Sequence, residues 1–285
     1  MIYISSSCVK HKKTKDSVLE LVNNNFKNIE LSGGTEYYDG FEDDLLELKN
    51  KYDLNYTCHN YFPPPKDHFV LNLASLDDVV YAKTLEHLKK AISLSKKLGA
   101  EKFGFHAGFF IDIKVSEIGK KITKKSLFDK GKAIQKFCEG FNELKIFANN
   151  LGLYVENNAF SSTNAKTYNN DNLFMLTISS EYNELRDKID FNLLLDVAHL
   201  KVSSNTLNLN FEDELKFLVK KSDYIHISDN DGLHDLNRKL NQNSTLVRML
   251  KEINLDSKDF TLEIYDDMDS IKSTCIILED IINDR

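Results

Sequence analysis

Between Phe191 and Leu200 the chain reads FNLLLDVAHL, an apolar strand that stops on Asp196, with His199 three residues further on. A strand buried on both faces reads as a continuous apolar run. Burying a carboxylate at its end is costly unless something pairs with it. The arrangement recurs along the chain. Tyr56-Thr57-Cys58 leads to His59, Phe103-Gly104-Phe105 to His106, Leu153-Tyr154-Val155 to Glu156, Tyr224-Ile225 to His226 and Phe260-Thr261-Leu262 to Glu263. Six strand ends carry six possible metal ligands, and a fold for this chain has to bring those ends together.

Apolar residues spaced by three and four predict helices over 15–26, 41–52, 75–98, 126–149, 173–186, 211–221, 246–253 and 270–282. Strands are expected at 2–5, 29–31, 54–59, 102–106, 153–157, 191–196, 223–228 and 260–265. Ser75, with Asp77 and Asp78 behind it, reads as the start of the long third helix, and Gly99 as its end. The stretch 159–171 is rich in Ser, Thr and Asn and reads as loop. Strands alternating with helices imply parallel pairing and right-handed crossovers. Eight such units predict a closed (β/α)8 TIM barrel, one domain over 1–285. An open doubly wound sheet would call for a Gly-rich phosphate turn after the first strand, and Ser5-Ser6-Ser7-Cys8-Val9 is not one.

Bulk properties narrow the function classes. The formal net charge is -7, which argues against a general attraction to nucleic acid. The four cysteines, Cys8, Cys58, Cys138 and Cys275, are far apart with no CxxC pair, so neither a disulfide framework nor a thiolate zinc site is expected. Cys8 and Cys58 read as small core residues. The opening MIYISSSCVKHKK has too short an apolar run for a signal peptide, and no apolar run approaches the roughly 20 residues of a membrane span. The expectation is a soluble, cytoplasmic protein. A homo-oligomer is compatible with the sequence, although no stripe marks an interface.

In such a barrel the C-terminal strand ends and the loops after them form the active face. Glu156, Asp196 and Glu263 meeting at one mouth would repel one another, and a divalent cation resolves this, with His226 as a nitrogen ligand. The competing reading is a polar network neutralised by cationic side chains, but the nearest in sequence are Lys201 and Arg238. Tyr61 and Phe62, stiffened by Pro63-Pro64-Pro65, and Phe109 and Phe110 after His106 are candidate apolar walls. The lysines between Lys114 and Lys132 read as a solvated face or as phosphate contacts.

The segments HNYFPPP…LNLAS, FHAG, YVENN, LLLDVAHL, YIHISDNDG and TLEIY resemble, in order from His59 to Tyr265, those of the xylose-isomerase-like barrel superfamily. That group includes sugar and sugar-phosphate isomerases and epimerases, inosose dehydratases, and AP endonucleases of the endonuclease IV type. The resemblance implies a metal site at Glu156, Asp196, His226 and Glu263, taking Mn, Mg, Co or Zn. In the epimerases two glutamates exchange protons with the substrate on opposite faces, and these would be Glu156 and Glu263. The activity implied is a metal-dependent isomerisation or epimerisation of a sugar or sugar phosphate through a stabilised enediolate, with His199 bonding a substrate hydroxyl. A dehydratase would use the same chemistry and lose water.

The endonuclease branch implies an alternative, a multi-zinc phosphoesterase. There His59 and His106 would hold a second zinc that shares Glu156, and His199 a third with an Asp-x-His pair. This chain supplies Asp235 but has Asn237 in the histidine's place, so that third site is broken or depends on His234. The departure and the acidic charge count against DNA repair. The intact four-residue set counts against a non-catalytic scaffold barrel.

Overall fold

The structure, a computed structural model, describes residues 1–283. Eight parallel strands close on themselves in chain order. They are β1 (Ile2–Ser5), β2 (Asn28–Leu31), β3 (Asn55–His59), β4 (Lys102–His106), β5 (Gly152–Glu156), β6 (Asn192–Asp196), β7 (Tyr224–Ile227) and β8 (Asp259–Leu262). Around them run α1 (Thr14–Asn23), α2 (Phe41–Tyr52), α3 (Asp78–Lys97), α4 (Lys130–Ala148), α5 (Ser162–Thr167) and α6 (Ser179–Arg186). They are followed by α7 (Val197–Thr206), α8 (Phe211–Val219), α9 (Thr245–Glu252) and α10 (Met268–Asn283). Among the described residues no helix is long and apolar enough to cross a membrane.

The main core lies between the helices and the outer faces of the strands. Val18 and Leu21 of α1, Leu88 and Ile92 of α3, and Phe137, Phe141 and Leu144 of α4 are almost wholly buried. Their three- and four-residue spacing gives each helix one apolar stripe, and each such side chain contributes about 1.5–3 kcal/mol on burial. A second, small cluster of Tyr154, Leu194 and Tyr224 fills the barrel itself. Gly104 belongs to this interior. A Cβ there would lie 2.7 Å from Leu194 Cδ2 and 2.9 Å from His59 Cδ2, so the missing side chain makes room for the imidazole.

The expected barrel is present, and several boundaries differ for local reasons. Helix α3 starts at Asp78 because Asp77, not Ser75, caps it, with Oδ1 accepting from the amides of Val79 at 2.8 Å and Val80 at 3.2 Å. Ser75 instead donates its hydroxyl to Asp112. Helix α4 starts at Lys130, capped by Asp129. Within the stretch read as loop, α5 forms behind the Ser161 cap. Residues 173–178 are not helical, because Phe174 bridges to Phe109 and Asn172 and Glu181 hold Thr177. The largest difference is α7, which follows β6 without a loop.

His87 of α3 gives a test of the fold remote from the barrel mouth. The ring is buried edge-on against Phe69, and Nε2 has no hydrogen-bond partner. Burial, reinforced by Lys90 and Lys83, pushes its pKa down from 6.5 to about 4. The folded state therefore resists a proton that the unfolded chain accepts, and stability is lost as pH falls from 6.5 towards 4. His87→Met is expected to remove about 2 kcal/mol of the stability difference between pH ~7.5 and pH ~4.5. Urea titrations of both proteins at the two pH values check this, and identical pH dependences would refute it.

Candidate active site

The strands deliver the candidate residues to one end of the barrel. In the register His106 lies opposite Glu156, and Asp196 opposite His226. Side chains alternate along a strand, so residues two apart share a face. His59, His106, Glu156 and Asp196 each end a strand, His226 is the third residue of β7, and Glu263 follows β8 directly. His199 and Asp235 arrive differently, His199 from α7 and Asp235 from the loop between β7 and α9.

Asp196 explains why α7 begins where it does. Its Oδ1 accepts the His199 amide at 2.7 Å, which makes it the N-cap of that helix. Asn157 clamps it from β5's side, accepting the Asp196 amide at 2.7 Å and donating to its carbonyl at 3.0 Å. One carboxylate oxygen is thus spent on the fold. The other, Oδ2, faces His226 Nδ1 at 4.0 Å. The same cap carries His199 into the mouth.

Glu156 is the hub. Its Oε2 lies 2.7 Å from His59 Nε2 and 2.8 Å from His106 Nδ1. Its Oε1 lies 3.4 Å from His226 Nδ1 and 3.7 Å from His199 Nδ1, and has no hydrogen-bond partner. Burial opposes the charge, but the adjacent His106 and His59 outweigh it and hold this carboxyl well below the usual carboxylate range. Glu263 behaves in the opposite way. Burial pushes its pKa up, although Ser5 and Ser7 donate to Oε1 at 3.3 Å each and Asn237 donates to Oε2 at 3.5 Å. Burial also raises Asp196, to about 6. His199 donates from Nδ1 to the Asn157 carbonyl at 2.8 Å and turns Nε2 to Asp235 Oδ2 at 3.1 Å. Burial opposes charging this ring too, but Asp196 and Asp235 raise its pKa well above the ordinary value.

Several buried atoms are left in the state a cation would complete. Glu156 Oε1, His226 Nδ1 and His59 Nδ1 are buried without a hydrogen bond, and such groups are costly unless something satisfies them. His226 Nδ1 lies 3.4 to 4.0 Å from carboxylate oxygens of Glu156, Asp196 and Glu263. Two ligands of one ion at about 2.1 Å stand roughly 3–4 Å apart, so His226 Nδ1 is spaced from each of these three carboxylates as one ligand is from another, although no compact ligand group among the described residues contains Asp196. Three tighter groups also bring ligand atoms within 4.8 Å of one another: His59, Glu156 and His226; His106, Glu156 and His199; and Glu30, His226 and Glu263. The ion pairs of Glu156 and Glu263 are all with histidines. Lys201 is engaged by Asp229 and Asn230, and among the described residues the ion pairs of Glu156, Asp196 and Glu263 include neither Lys201 nor Arg238.

Other expectations divide. Asp235 reaches His199, whereas His234 is half-exposed and turns to Asp231, so it does not replace the histidine absent at 237. Tyr61 and Phe109 line the cleft, as expected of apolar walls. Phe62 and Phe110 do not, because both turn into the main core, Phe62 edge-on to Phe41. Cys8 and Cys58 are buried, and burial lifts the Cys58 thiol to about 12. Over the site lie two neighbouring cavities of about 270 and 670 Å³, both bounded by Tyr61, His106, His199 and Asp235. Lys120, Lys121 and Asn164 line the smaller one, and Lys10, His11 and Tyr265 the larger.

The sequence profile of the xylose isomerase-like TIM barrels matches residues 19–281. The chain belongs to this family. No curated protein sequence matches the chain. Among solved structures, this xylose isomerase-like barrel is similar to a D-tagatose 3-epimerase-like protein, with 20% identity, coverage of 99% of this chain and 98% of that one, and a TM-score of 0.72. It is also similar to a D-psicose 3-epimerase solved in the presence of D-fructose, at 15% identity, 99% of each chain and a TM-score of 0.64. Endonuclease IV from Thermus thermophilus matches at 14% identity over 100% of this chain and 99% of that one, with a TM-score of 0.62. At these identities the likeness is one of fold.

One residue at the centre of the barrel has no counterpart in the sequence reading. Glu30 of β2 is wholly buried beneath the mouth and bonds His226 Nε2 at 3.1 Å. The available signal was a carboxylate between Ile29 and Leu31 in a strand with no exposed face.

Proposed function

We propose that this barrel is a divalent-metal-dependent epimerase or isomerase acting on a ketose or ketose phosphate, with Glu156 and Glu263 as its acid/base pair. The observation that carries this reading is His226 Nδ1, unpartnered and facing oxygens of Glu156, Asp196 and Glu263 at once. These four residues would hold the cation. It would supply Lewis acidity towards a substrate carbonyl and the adjacent hydroxyl, which would acidify the C–H of the hydroxyl-bearing carbon next to the carbonyl. The residues do the rest. One glutamate takes the proton and the other returns it. Ser5, Ser7 and Asn237 hold Glu263 in place. His199 donates to a substrate oxygen, and the Tyr61 ring offers an apolar face to the carbon skeleton.

A second reading, an endonuclease IV-like phosphoesterase with several zinc ions, has one observation in its favour: His106, Glu156 and His199 form another compact ligand group beside the first. Asn237 argues against its full form, because an amide is a poor zinc ligand and this one is directed at Glu263. The test is to strip the protein with chelator, reload it with Mn, Mg, Co or Zn, and assay a panel of ketoses and ketose phosphates. Cation-dependent appearance of an epimer or isomer is expected. No turnover by any reloaded form, together with cleavage of an abasic-site oligonucleotide, would transfer the assignment to the phosphoesterase.

A further inference from the structure

Glu30 is an unusual residue for the inside of a barrel. It stands mid-strand on β2, opposite Ser5 on one side and Thr57 on the other. Its side chain is fully buried, and Oε1 has no partner. Oε2 collects three donors: the Tyr224 hydroxyl, His226 Nε2 at 3.1 Å and Thr261 Oγ1 at 3.3 Å. Tyr224 and Thr261 are themselves 2.9 Å apart, which closes a small ring of hydrogen bonds below the mouth. A fully buried carboxylate is a costly core residue.

We propose that Glu30 is a positioning residue that fixes the tautomer and orientation of His226, so that its Nδ1 lone pair is presented to the cation site. A carboxylate can only accept here, so Nε2 must carry the proton and Nδ1 must be the free nitrogen of the neutral ring. Nδ1 is the atom that faces Glu156, Asp196 and Glu263. Tyr224 and Thr261 hold the carboxylate, the carboxylate holds the ring, and the ring would present Nδ1 to a bound cation. A carboxylate behind a metal-bound imidazole also makes it a stronger donor. The inference rests on the cation reading of the site, but its tautomer half can be read without any metal.

Two measurements test it. Glu30→Gln keeps the shape and removes the charge. Competition titration with Zn or Mn is expected to show roughly 10- to 100-fold weaker binding than wild type, with the circular dichroism spectrum retained. Separately, ring-nitrogen NMR of His226 in wild-type, metal-free protein, at a pH where the ring is neutral, is expected to show the proton on Nε2. A proton on Nδ1 overturns the proposal, as does a folded Glu30→Gln protein that binds the cation as tightly as wild type. If wild type binds no cation, the metal reading fails on its own, and Glu30 stands or falls on the tautomer. The same spectrum decides the matter if Glu30→Gln does not fold.

Discussion

Glu156→Gln is expected to abolish tight divalent-cation uptake and to reduce ketose turnover by at least about 10³-fold, while the barrel remains folded. The carboxylate is shared more widely than any other in the site, with Oε2 at 2.7 Å from His59 and 2.8 Å from His106, and Oε1 at 3.4 Å from His226. An amide of the same shape replaces one of these oxygens with a donor. It carries no charge to balance a cation or to draw protons onto the surrounding imidazoles. Stability should survive, because the side chain is isosteric and a buried neutral amide is cheaper to desolvate than a carboxylate. The measurement is metal content per chain after dialysis, with circular dichroism as the control for folding. A folded variant that retains one cation per chain at wild-type affinity would remove Glu156 from the site.

The barrel was legible because each strand and helix carries its own period. Leu193-Leu194-Leu195 can be buried on both faces, and the three- and four-residue spacing in 75–98 and 126–149 can serve only a helix with one buried stripe. The six strand-end residues were legible for a second reason. A parallel barrel sends every strand the same way, so side chains at equivalent positions meet at one rim. Burial then makes a polar residue at that point informative, as Glu156 and His226 show.

What escaped depends on contacts between distant segments. The start of α7 is set by the Asp196 side chain folding back onto the His199 amide, and the apolar pattern of FNLLLDVAHL does not distinguish that cap from a loop. Phe62 and Tyr61 are adjacent and both aromatic, yet one enters the core and the other the cleft. Their directions follow from the backbone of the proline-rich loop rather than from residue type. Asn237 was legible as a departure from the endonuclease pattern. That its amide turns to Glu263 required the fold of the loop after β7. Glu30 could have been suspected from its sequence neighbours, but its partners, Tyr224, His226 and Thr261, come from the far side of the closed sheet.

Glu263→Gln should separate the two halves of the proposed proton transfer. Its neighbours, Ser5, Ser7 and Asn237, are neutral hydrogen-bonding groups that an amide can still satisfy, so the side chain should keep its place. The amide oxygen could also still face the proposed cation. What is lost is the ability to give or take a proton, and epimerisation should fall by at least about 10³-fold. Glu156 remains, and with two bases on opposite faces of the substrate it still serves one epimer. In heavy water with saturating cation, the variant is therefore expected to exchange the reacting C–H of one epimer for deuterium without inverting it. The other epimer should stay unlabelled. NMR of each epimer incubated separately reads both results. Inversion at a rate within tenfold of wild type would show that Glu263 is not the second acid/base. Exchange into both epimers would show that a single group serves both faces. The first outcome would require a different partner for Glu156, the second would require none, and neither would bear on the proposed cation site.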